Sequence, residues 1–335
     1  MAGRFSFYEF FAGGGMARLG LGDAWTCAFA NDFDPVKAAA YRANFPDAPG
    51  HFHEGDVWAL SAADLPGRPD LAWASSPCQD FSLAGARAGL GGGRSSAFFG
   101  FWRLMEALDA EGRAPRVIVI ENVVGLLTSH GGADFAALGA ALAARGYRFG
   151  AVEIDAAQVL PQSRPRVFVV AACDVPPALT GASPFHTRAV RAAHAGLPAE
   201  LADRWVWWRL AAPPARNTDL AALLEPDDAV AWHSPRQTQR LLSLMGPLHR
   251  ARLQMDGGRS VGAVFRRTRT EDGQRVQRAE VRFDGLAGCL RTPRGGSSRQ
   301  SILVVEAGRA RTRLINAREA ARLMGLPETY RLPRA

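Results

Sequence analysis

Short apolar runs alternate with amphipathic stretches through the first half of the chain. This alternation is typical of βαβ units and predicts an α/β fold with a mostly parallel sheet. The predicted strands are Phe5–Phe10, Thr26–Ala30, Leu71–Ala74, Val117–Ile120, Phe149–Ile154 and Arg166–Ala172. The predicted helices are Met16–Gly22, Pro35–Asn44 behind an Asp34 cap, Ala97–Ala110, and Phe135–Arg145 before Gly146.

The alternation ends near Val175. From there to Leu290 prolines and tryptophans recur, as in "DVPPALTGASP" and "RWVWWRLAAPPAR", without a strand or helix period. This change predicts a second, smaller and irregular α+β domain. We therefore expect a first domain at 1–175, a second at 176–290, and a C-terminal segment, 291–335, that returns to the first.

One β-hairpin is predicted inside the second domain, at Val264–Phe283, with Asp272 and Gly273 at its turn. Its arms carry an excess of arginines over acids. The arginines are Arg266, Arg267, Arg269, Arg275, Arg278 and Arg282, and the acids are Glu271, Asp272 and Glu280. Guanidinium groups bind both phosphate oxygens and base edges, so the hairpin favours a nucleic-acid partner.

The charge of the whole chain points the same way. Among 335 residues, 40 are basic and 32 acidic, the net charge is +8, and Lys37 is the only lysine. Arginine binds phosphate bidentately, so this balance suits a phosphate-rich partner. An arginine-biased, solvated surface is the alternative explanation.

The four cysteines, Cys27, Cys78, Cys173 and Cys289, are far apart and form no C-x-x-C pair. Neither a zinc site nor a disulfide framework is expected from them, and we expect no metal. The N-terminus lacks the pattern of a signal peptide, and no apolar run approaches the length of a membrane span. The sequence thus predicts a cytoplasmic protein.

A glycine-rich turn, "FFAGGG", follows the first strand and opens the first helix. Glycines there allow a ligand to approach the backbone, although a tight turn without a ligand has the same composition. Asp32 ends the second strand, where a carboxylate can bind ribose hydroxyls, and Asp56 can accept from an adenine amino group. Either acid alternatively caps a helix. The turn is not G-x-G-x-x-G, so S-adenosylmethionine fits better than a dinucleotide.

Three further strand ends carry reactive side chains. Cys78 follows "LAWAS", Glu121 and Asn122 end "VIVIEN", and Arg164 and Arg166 lie at the start of "RPRVF". In a parallel sheet such ends collect the chemistry at one edge. A thiolate, a carboxyl and two guanidiniums indicate addition to an electron-poor ring, with protonation and charge support nearby.

These segments together resemble a known family. "FYEFFAGGGMARLGLG", "NDFDP", "GDV", "SSPCQDFS", "ENVVG", "LPQSRPRVF" and "LINAREAARLMGLPETY" resemble, in order and spacing, the motifs of the bacterial cytosine-C5 DNA methyltransferases. The resemblance covers nearly the whole chain outside Val175 to Leu290. It implies a Rossmann-like, S-adenosylmethionine-dependent methyltransferase fold with a target-recognition domain, and DNA (cytosine-5-)-methyltransferase activity of class 2.1.1.

The resemblance also implies a mechanism. The Cys78 thiolate attacks carbon 6 of cytosine, and the resulting enamine accepts a methyl group at carbon 5 from S-adenosylmethionine, leaving S-adenosylhomocysteine. Glu121 contacts N3 and the amino group of the base, with Asn122 fixing its orientation. Arg164, and more loosely Arg166, holds the base carbonyl and the cysteine region. The base must first be flipped out of the duplex.

The same resemblance assigns binding residues. The cofactor site is lined by Phe11, Ala12, Gly13, Gly14, Gly15, Asp32, Phe33, Asp56, Val57 and Pro77. The DNA contacts expected from the resemblance are Gln79, Ser82, Arg87 and Arg94, and the hairpin by its composition adds Arg266, Arg267, Arg269 and Arg275. The loop Gly85–Gly93 is the expected lid. The expected partner is double-stranded DNA, with nucleoid association through it, and a restriction endonuclease is a possible second partner.

Two features depart from the family pattern. Cys289 stands where the family has a threonine, so Thr292 or Ser297 would have to supply a phosphate-facing hydroxyl. The chain ends at Ala335 without the final helix that closes the cofactor site in the family. Three explanations stay open: a shortened chain, a second polypeptide that supplies the helix, or a variant that works without it. We expect weak binding of S-adenosylmethionine by this chain alone.

Other functions remain open on the sequence. The family's fold includes an RNA branch that methylates cytosine in tRNA, and the arginine-rich variable region favours DNA over it. A DNA-binding subunit of a split methyltransferase, without turnover of its own, is another alternative, against which the intact Cys78, Glu121 and Arg164 argue. An NAD-dependent dehydrogenase is a further alternative, but this sequence lacks the second glycine fingerprint that it would require.

Overall fold

The computed structural model describes residues 4–76, 97–253, 258–271, 273–291 and 299–333. The chain divides into two compact units. The first unit comprises Met1–Ile154, Pro165–Ala212 and Pro333–Ala335, and the second comprises Asp155–Arg164 and Pro213–Leu332.

A seven-stranded sheet organises the first unit. Its strands are β1 Phe5–Phe10, β2 Trp25–Asp32, β3 Phe52–Glu54, β4 Leu71–Ala74, β5 Val117–Asn122, β6 Arg148–Asp155 and β7 Pro165–Ala172. The strand order is β3-β2-β1-β4-β5-β7-β6. Neighbours from β3 to β5 pair in parallel, whereas β7 is antiparallel to β5. The mostly parallel α/β sheet predicted from the alternating pattern is confirmed.

Helices of the first unit connect the strands of this sheet or follow its last strand. They are α1 Met16–Leu21, α2 Pro35–Asn44, α3 Ala97–Ala110, α4 Ala133–Ala144, α5 Arg188–Ala195 and α6 Ala199–Ala202. The predicted cap of α2 is present, because the Asp34 carboxylate accepts from the N–H groups of Val36 and Lys37. Gly146 follows α4 with φ 79°, the left-handed conformation that ends many helices.

Aromatic and aliphatic side chains fill the space between the helices and both faces of the sheet. Phe10, at 0% exposure, contacts Phe29 on β2 and Phe101 on α3. Strands covered on both faces form continuous apolar runs, as the sequence shows. Because β1, β2, β4 and β5 are parallel, their carboxyl ends meet at one edge of the sheet, where the candidate site lies.

The second unit contains a four-stranded antiparallel sheet. Its strands are β8 Arg259–Glu271, β9 Gln274–Arg282, β10 Ser301–Glu306 and β11 Arg309–Leu314, in the order β11-β10-β8-β9. Helices α7 Pro235–Ser243, α8 Pro247–Ala251 and α9 Ala317–Leu323 belong to the same unit. The predicted hairpin corresponds to β8 and β9, with Gly273 at φ 77° in its turn.

The division into units differs from the expected boundaries at 175 and 290. The tryptophan-rich segment belongs to the first unit, because Val206 donates to the Phe149 carbonyl and Trp208 Nε1 to the Val170 carbonyl. Most of the C-terminal segment belongs to the second unit, because β10 pairs with β8 from Ser301 to Glu306. The catalytic and recognition roles of the two units stay predictions.

No helix in the described ranges has the length and apolar composition needed to cross a membrane.

Candidate active site

The chain turns sharply at the carboxyl end of β1. Phe11, Gly13 and Gly15 adopt left-handed conformations, with φ of 58°, 58° and 79°. A Cβ atom on Gly15 would lie 2.2 Å from the Phe45 ring, so a larger residue is excluded there. Among the described residues, a Cβ on Gly13 would meet only Lys37, at 4.0 Å. The described part of the turn therefore leaves open space next to the backbone at Gly13.

Asp32 ties this turn to the end of β2. It is 2% exposed, and its carboxylate accepts hydrogen bonds from the backbone N–H groups of Gly13, at 2.8 Å, and Asp34, at 2.9 Å. The Lys37 ammonium lies 3.9 Å away. The structure thus gives Asp32 a positioning role in the turn, and its predicted contact with a ribose stays a prediction.

Three predicted cofactor residues, Phe33, Asp56 and Val57, follow strands β2 and β3 and differ in exposure. Phe33 leaves 68% of its surface exposed, which is unusual for a large aromatic ring and suits stacking by a flat ligand. Asp56 caps the short 3₁₀ helix Val57–Ala59 through the Trp58 N–H, at 3.0 Å. The capping role that the sequence left open is therefore present, and Val57 itself is buried in the core.

Glu9 is a buried carboxyl that sequence reasoning missed. It is 2% exposed at the end of β1; its Oε1 accepts from the Ala17 N–H, at 3.2 Å, and its Oε2 has no hydrogen-bond partner within the described ranges. Burial raises the pKa of this carboxyl to about 8, against weaker lowering by the Arg18 and Ala17 amides and the Arg18 charge. Glu9 therefore provides an uncharged buried acid beneath the glycine turn at neutral pH.

Glu121 and Arg166 form an ion pair at the end of β5. Arg166 Nε lies 2.9 Å from Glu121 Oε1, and both side chains are largely buried, at 17% and 21% exposure. The antiparallel pairing of β5 and β7 brings them together, since Glu121 lies opposite Phe168, two residues from Arg166. The carboxylate is thus oriented by a guanidinium on the adjacent strand.

Asn122 fixes the end of the neighbouring strand. It is 3% exposed, its Nδ2 donates to the Ser76 carbonyl at 3.2 Å, and its Oδ1 accepts from the Val123 N–H at 2.8 Å. Ser76 is two residues before Cys78 in the sequence. Asn122 therefore anchors the backbone that leads to the predicted nucleophile, a contact the sequence did not predict.

Arg164 belongs to the second unit and has partners there. Its guanidinium Nη1 donates to the Leu290 carbonyl at 3.2 Å and to Cys289 Sγ at 3.6 Å. Its backbone N–H donates to Asp155 Oδ1 at 2.6 Å. The sequence expected Arg164, ahead of Arg166, to serve the base; the guanidinium that the structure pairs with Glu121 is that of Arg166.

Nearly the whole chain is similar to a known protein family. A family model described as C-5 cytosine-specific DNA methylase matches residues 5–335. This chain belongs to that family. Among curated relatives, the Type II methyltransferase M.BsuFI of Bacillus subtilis is 33% identical over 169 residues, which cover 50% of this chain and 39% of the relative. The Type II methyltransferase M.HaeII of Haemophilus aegyptius is 31% identical over 169 residues, 50% of each chain.

The solved structures agree on the fold. The Dnmt2 methyltransferase of S. pombe matches 99% of this chain and 90% of its own, with a TM-score of 0.59 and 17% identity. The curated matches span half or less of the relatives' own length. The comparisons therefore show that the chain belongs to the C-5 cytosine-specific DNA methylase family and has a Rossmann-like fold, as the sequence resemblance predicted.

Several predicted residues of this family member lie outside the described ranges. They are Pro77, Cys78, Gln79, Ser82, the loop Gly85–Gly93 with Arg87, Arg94, Thr292 and Ser297. Of the described cysteines, Cys27 has its pKa raised to about 12 by burial, and burial also raises the pKa of Cys173. Those two thiols stay protonated at neutral pH and are unsuited to nucleophilic attack.

The four predicted recognition arginines all lie on exposed positions of the β8–β9 hairpin. Arg267 and Arg269 both pair with Glu280 on the facing strand. Within the described ranges, no group of three or more His, Cys, Asp or Glu side chains is arranged to hold a metal ion.

Proposed function

We propose that this chain is a DNA (cytosine-5-)-methyltransferase, which transfers a methyl group from S-adenosylmethionine to carbon 5 of cytosine within a specific duplex sequence. The observation that carries the proposal is the Glu121 carboxylate, which the ion pair with Arg166 orients at the end of β5. The next residue, Asn122, donates to the Ser76 carbonyl, two residues before Cys78 in the sequence. The family match over residues 5–335 supports it.

The reaction requires activation of an unreactive carbon. The Cys78 thiolate adds to carbon 6 of cytosine, forming a sulfur–carbon bond, and the electron pair released toward the ring is balanced by proton donation at N3. In this proposal the Glu121 carboxyl donates that proton, and the ion pair with Arg166 supports the role by keeping the carboxyl at the strand end. After methyl transfer, solvent takes the carbon 5 proton, the carbon 5–carbon 6 double bond forms again as the sulfur–carbon bond breaks, and the N3 proton returns to Glu121, so that the thiolate and the carboxyl are both restored.

The donor site fits the glycine turn. The open backbone at Gly13, the buried Asp32 and the exposed Phe33 ring would hold the adenosine part of the ligand. S-adenosylmethionine supplies an electrophilic methyl group and leaves as S-adenosylhomocysteine. These contacts are proposals, as are base flipping and closure of the Gly85–Gly93 loop over the flipped base.

A covalent trap tests the nucleophile. Duplex DNA containing 5-fluorocytosine has no carbon 5 proton to lose, so the parent chain should stay attached to it in the presence of S-adenosylmethionine, as a band that survives denaturing electrophoresis. The Cys78→Ala variant should form no such band. The Cys173→Ala variant, which removes an exposed cysteine, should trap like the parent.

Trapping by Cys78→Ala at the parent level would show that the nucleophile is assigned wrongly. Bisulfite sequencing of DNA from cells that express the chain gives the target sequence, and the same assay on tRNA tests the RNA alternative. DNA binding without methylation of either substrate would favour the binding-subunit alternative. Because the relatives are Type II methyltransferases, an endonuclease with the same target sequence is a further proposed partner.

A further inference from the structure

The outer part of the β8–β9 hairpin is a two-stranded ribbon. Pairing of β8 with β10 runs from Arg259 to Val264, whereas pairing with β9 continues to Glu271. In the described part of the chain the ribbon beyond Val264 therefore pairs with itself, apart from one bridge between Ala279 and Met245 at its base. Side chains alternate between its two faces, and directly opposite residues share a face, so the register assigns each arginine to one face.

One face, which we call the paired face, holds compensated charges. It consists of Arg267, Arg269 and Glu271 on β8 with Arg278 and Glu280 on β9. Arg269 Nε lies 2.7 Å from Glu280 Oε1, and Arg278 Nε lies 2.7 Å from Glu271 Oε1. Arg267 Nε adds a contact to Glu280 Oε2 at 3.6 Å. The guanidinium groups of this face are thus engaged by carboxylates of the hairpin itself.

The opposite face, which we call the open face, carries no acid in its described residues. It consists of Arg266, Thr268 and Thr270 on β8 with Arg275 and Gln277 on β9, all exposed. Neither Arg266 nor Arg275 forms an ion pair with any described residue, in contrast to the arginines of the paired face. The open face therefore presents two arginines together with three hydrogen-bonding side chains.

The root of the ribbon holds the open face in place. Val264, Ala279 and Val281, which continue this face toward the sheet, are buried against Met245 and the leucines of α7. The backbone of Ala279 also donates to the Leu244 carbonyl at 3.0 Å. The exposed residues thus project from a packed base, which lowers the entropy lost when they bind a partner.

We propose that the open face is the surface that contacts duplex DNA and reads its sequence, while the paired face is a scaffold. A two-stranded ribbon fits the major groove, and the open face offers the groups suited to base edges: arginine for guanine, glutamine for adenine and threonine methyl for thymine. Among the described residues no carboxylate pairs with Arg266 or Arg275, and their positive charge suits phosphate as well. The inference rests on the proposed function, and it divides the four predicted arginines into two classes.

The test compares neighbouring arginines on opposite faces. Arg266→Ala, Arg275→Ala and Gln277→Ala remove open-face groups, and Arg267→Ala is the matched control, since it removes an exposed arginine next to Arg266 while Arg269 still covers Glu280. Binding to a random-sequence duplex pool is measured by fluorescence anisotropy across salt concentrations, and the bound sequences are selected and read.

Open-face substitutions should weaken binding of the selected sequence about tenfold each, and Arg267→Ala less than about twofold. Arg275→Lys should keep the salt dependence but lose discrimination at one position of the selected sequence, because lysine lacks the bidentate fork. Equal losses on both faces, or an unchanged sequence preference in all open-face variants, would overturn the inference. A parent chain that neither binds nor methylates duplex DNA would instead contradict the proposed function, and this inference with it.

Discussion

Burial sets the protonation state of the Glu9 carboxyl. Its carboxyl lies near the end of β1, is 2% exposed, and accepts from the Ala17 N–H, while Oε2 has no hydrogen-bond partner in the described ranges. Ionising it would place a charge in a poorly hydrated site, and this cost outweighs the nearby amides and the Arg18 charge, so the proton is retained up to a pH of about 8. A carboxyl in that state contributes no negative charge to the glycine turn at neutral pH.

The pKa of Glu9 predicts a pH dependence of stability. The unfolded carboxyl titrates near 4.5 and the folded one near 8, so between these values the unfolded state has released a proton that the folded state retains. The free energy of unfolding should therefore fall as pH rises, by up to about 5 kcal/mol from this group, and change no further above pH 8. Urea denaturation at a series of pH values from 4.5 to 8 measures this change in the free energy of unfolding.

Glu9→Gln is the control for that prediction, because the amide does not titrate. The difference in unfolding free energy between parent and variant should move in the variant's favour as pH rises from 4.5 to 8. A difference that stays constant with pH would show that Glu9 is ionised in the folded chain.

At the scale of elements, α1 depends on the glycine turn that precedes it. Gly15 has φ 79°, and an added Cβ would lie 2.2 Å from Cε2 and 2.8 Å from Cζ of Phe45. Both rotation of the backbone and displacement of a packed ring on α2 would be needed to accept a side chain there.

Gly15→Ala should accordingly destabilise the chain by about 2–4 kcal/mol, from backbone strain and overpacking together. Gly22→Ala is the matched control: Gly22 follows the same helix with φ 69°, but no described residue lies within 4 Å of its Cβ position. That variant should be destabilised by backbone strain alone, by about 1 kcal/mol. Equal losses in urea denaturation would mean that contact with Phe45 contributes nothing.

At the scale of the whole molecule, distant segments are joined by buried polar groups. Arg313 on β11 and Glu319 on α9, at 2% and 0% side-chain exposure, form two hydrogen bonds of 2.7 and 2.6 Å. Glu319 also accepts from the backbone of Glu225 at 2.9 Å. Burial alone would raise the pKa of Glu319, but the Arg313 and backbone hydrogen bonds outweigh it and lower the pKa.

Arg313→Met should destabilise the chain by about 3–5 kcal/mol, because it leaves the Glu319 carboxylate buried without its counter-charge. Arg311→Ala is the control on the same strand: its ion pair with Asp227 is half-exposed, so the loss should stay below about 1 kcal/mol. Adding Glu319→Gln to Arg313→Met should recover part of the loss in a double-mutant cycle. Additive losses would contradict a coupled pair.

Much of the fold was predictable because its signals are local. Periodicity and caps located β1, β4, α2 and α3 at their observed bounds, since apolar runs, Asp34 and the following proline act on neighbouring residues. The hairpin was predictable from its arginine-bearing strands and Asp-Gly turn. The unit boundary was not, because it depends on which segment pairs with β6 and β8, and pairing partners are distant in sequence.

The family, the candidate site residues and the side chains needed by the proposed reaction could be predicted from residue type, order and spacing along the chain. Which of these side chains contact one another could be seen only in the folded chain. It paired Arg166 rather than Arg164 with Glu121, gave Asn122 the Ser76 carbonyl, and separated the arginines of the hairpin into two faces. Such contacts follow from strand direction and register, which bring together residues far apart along the chain.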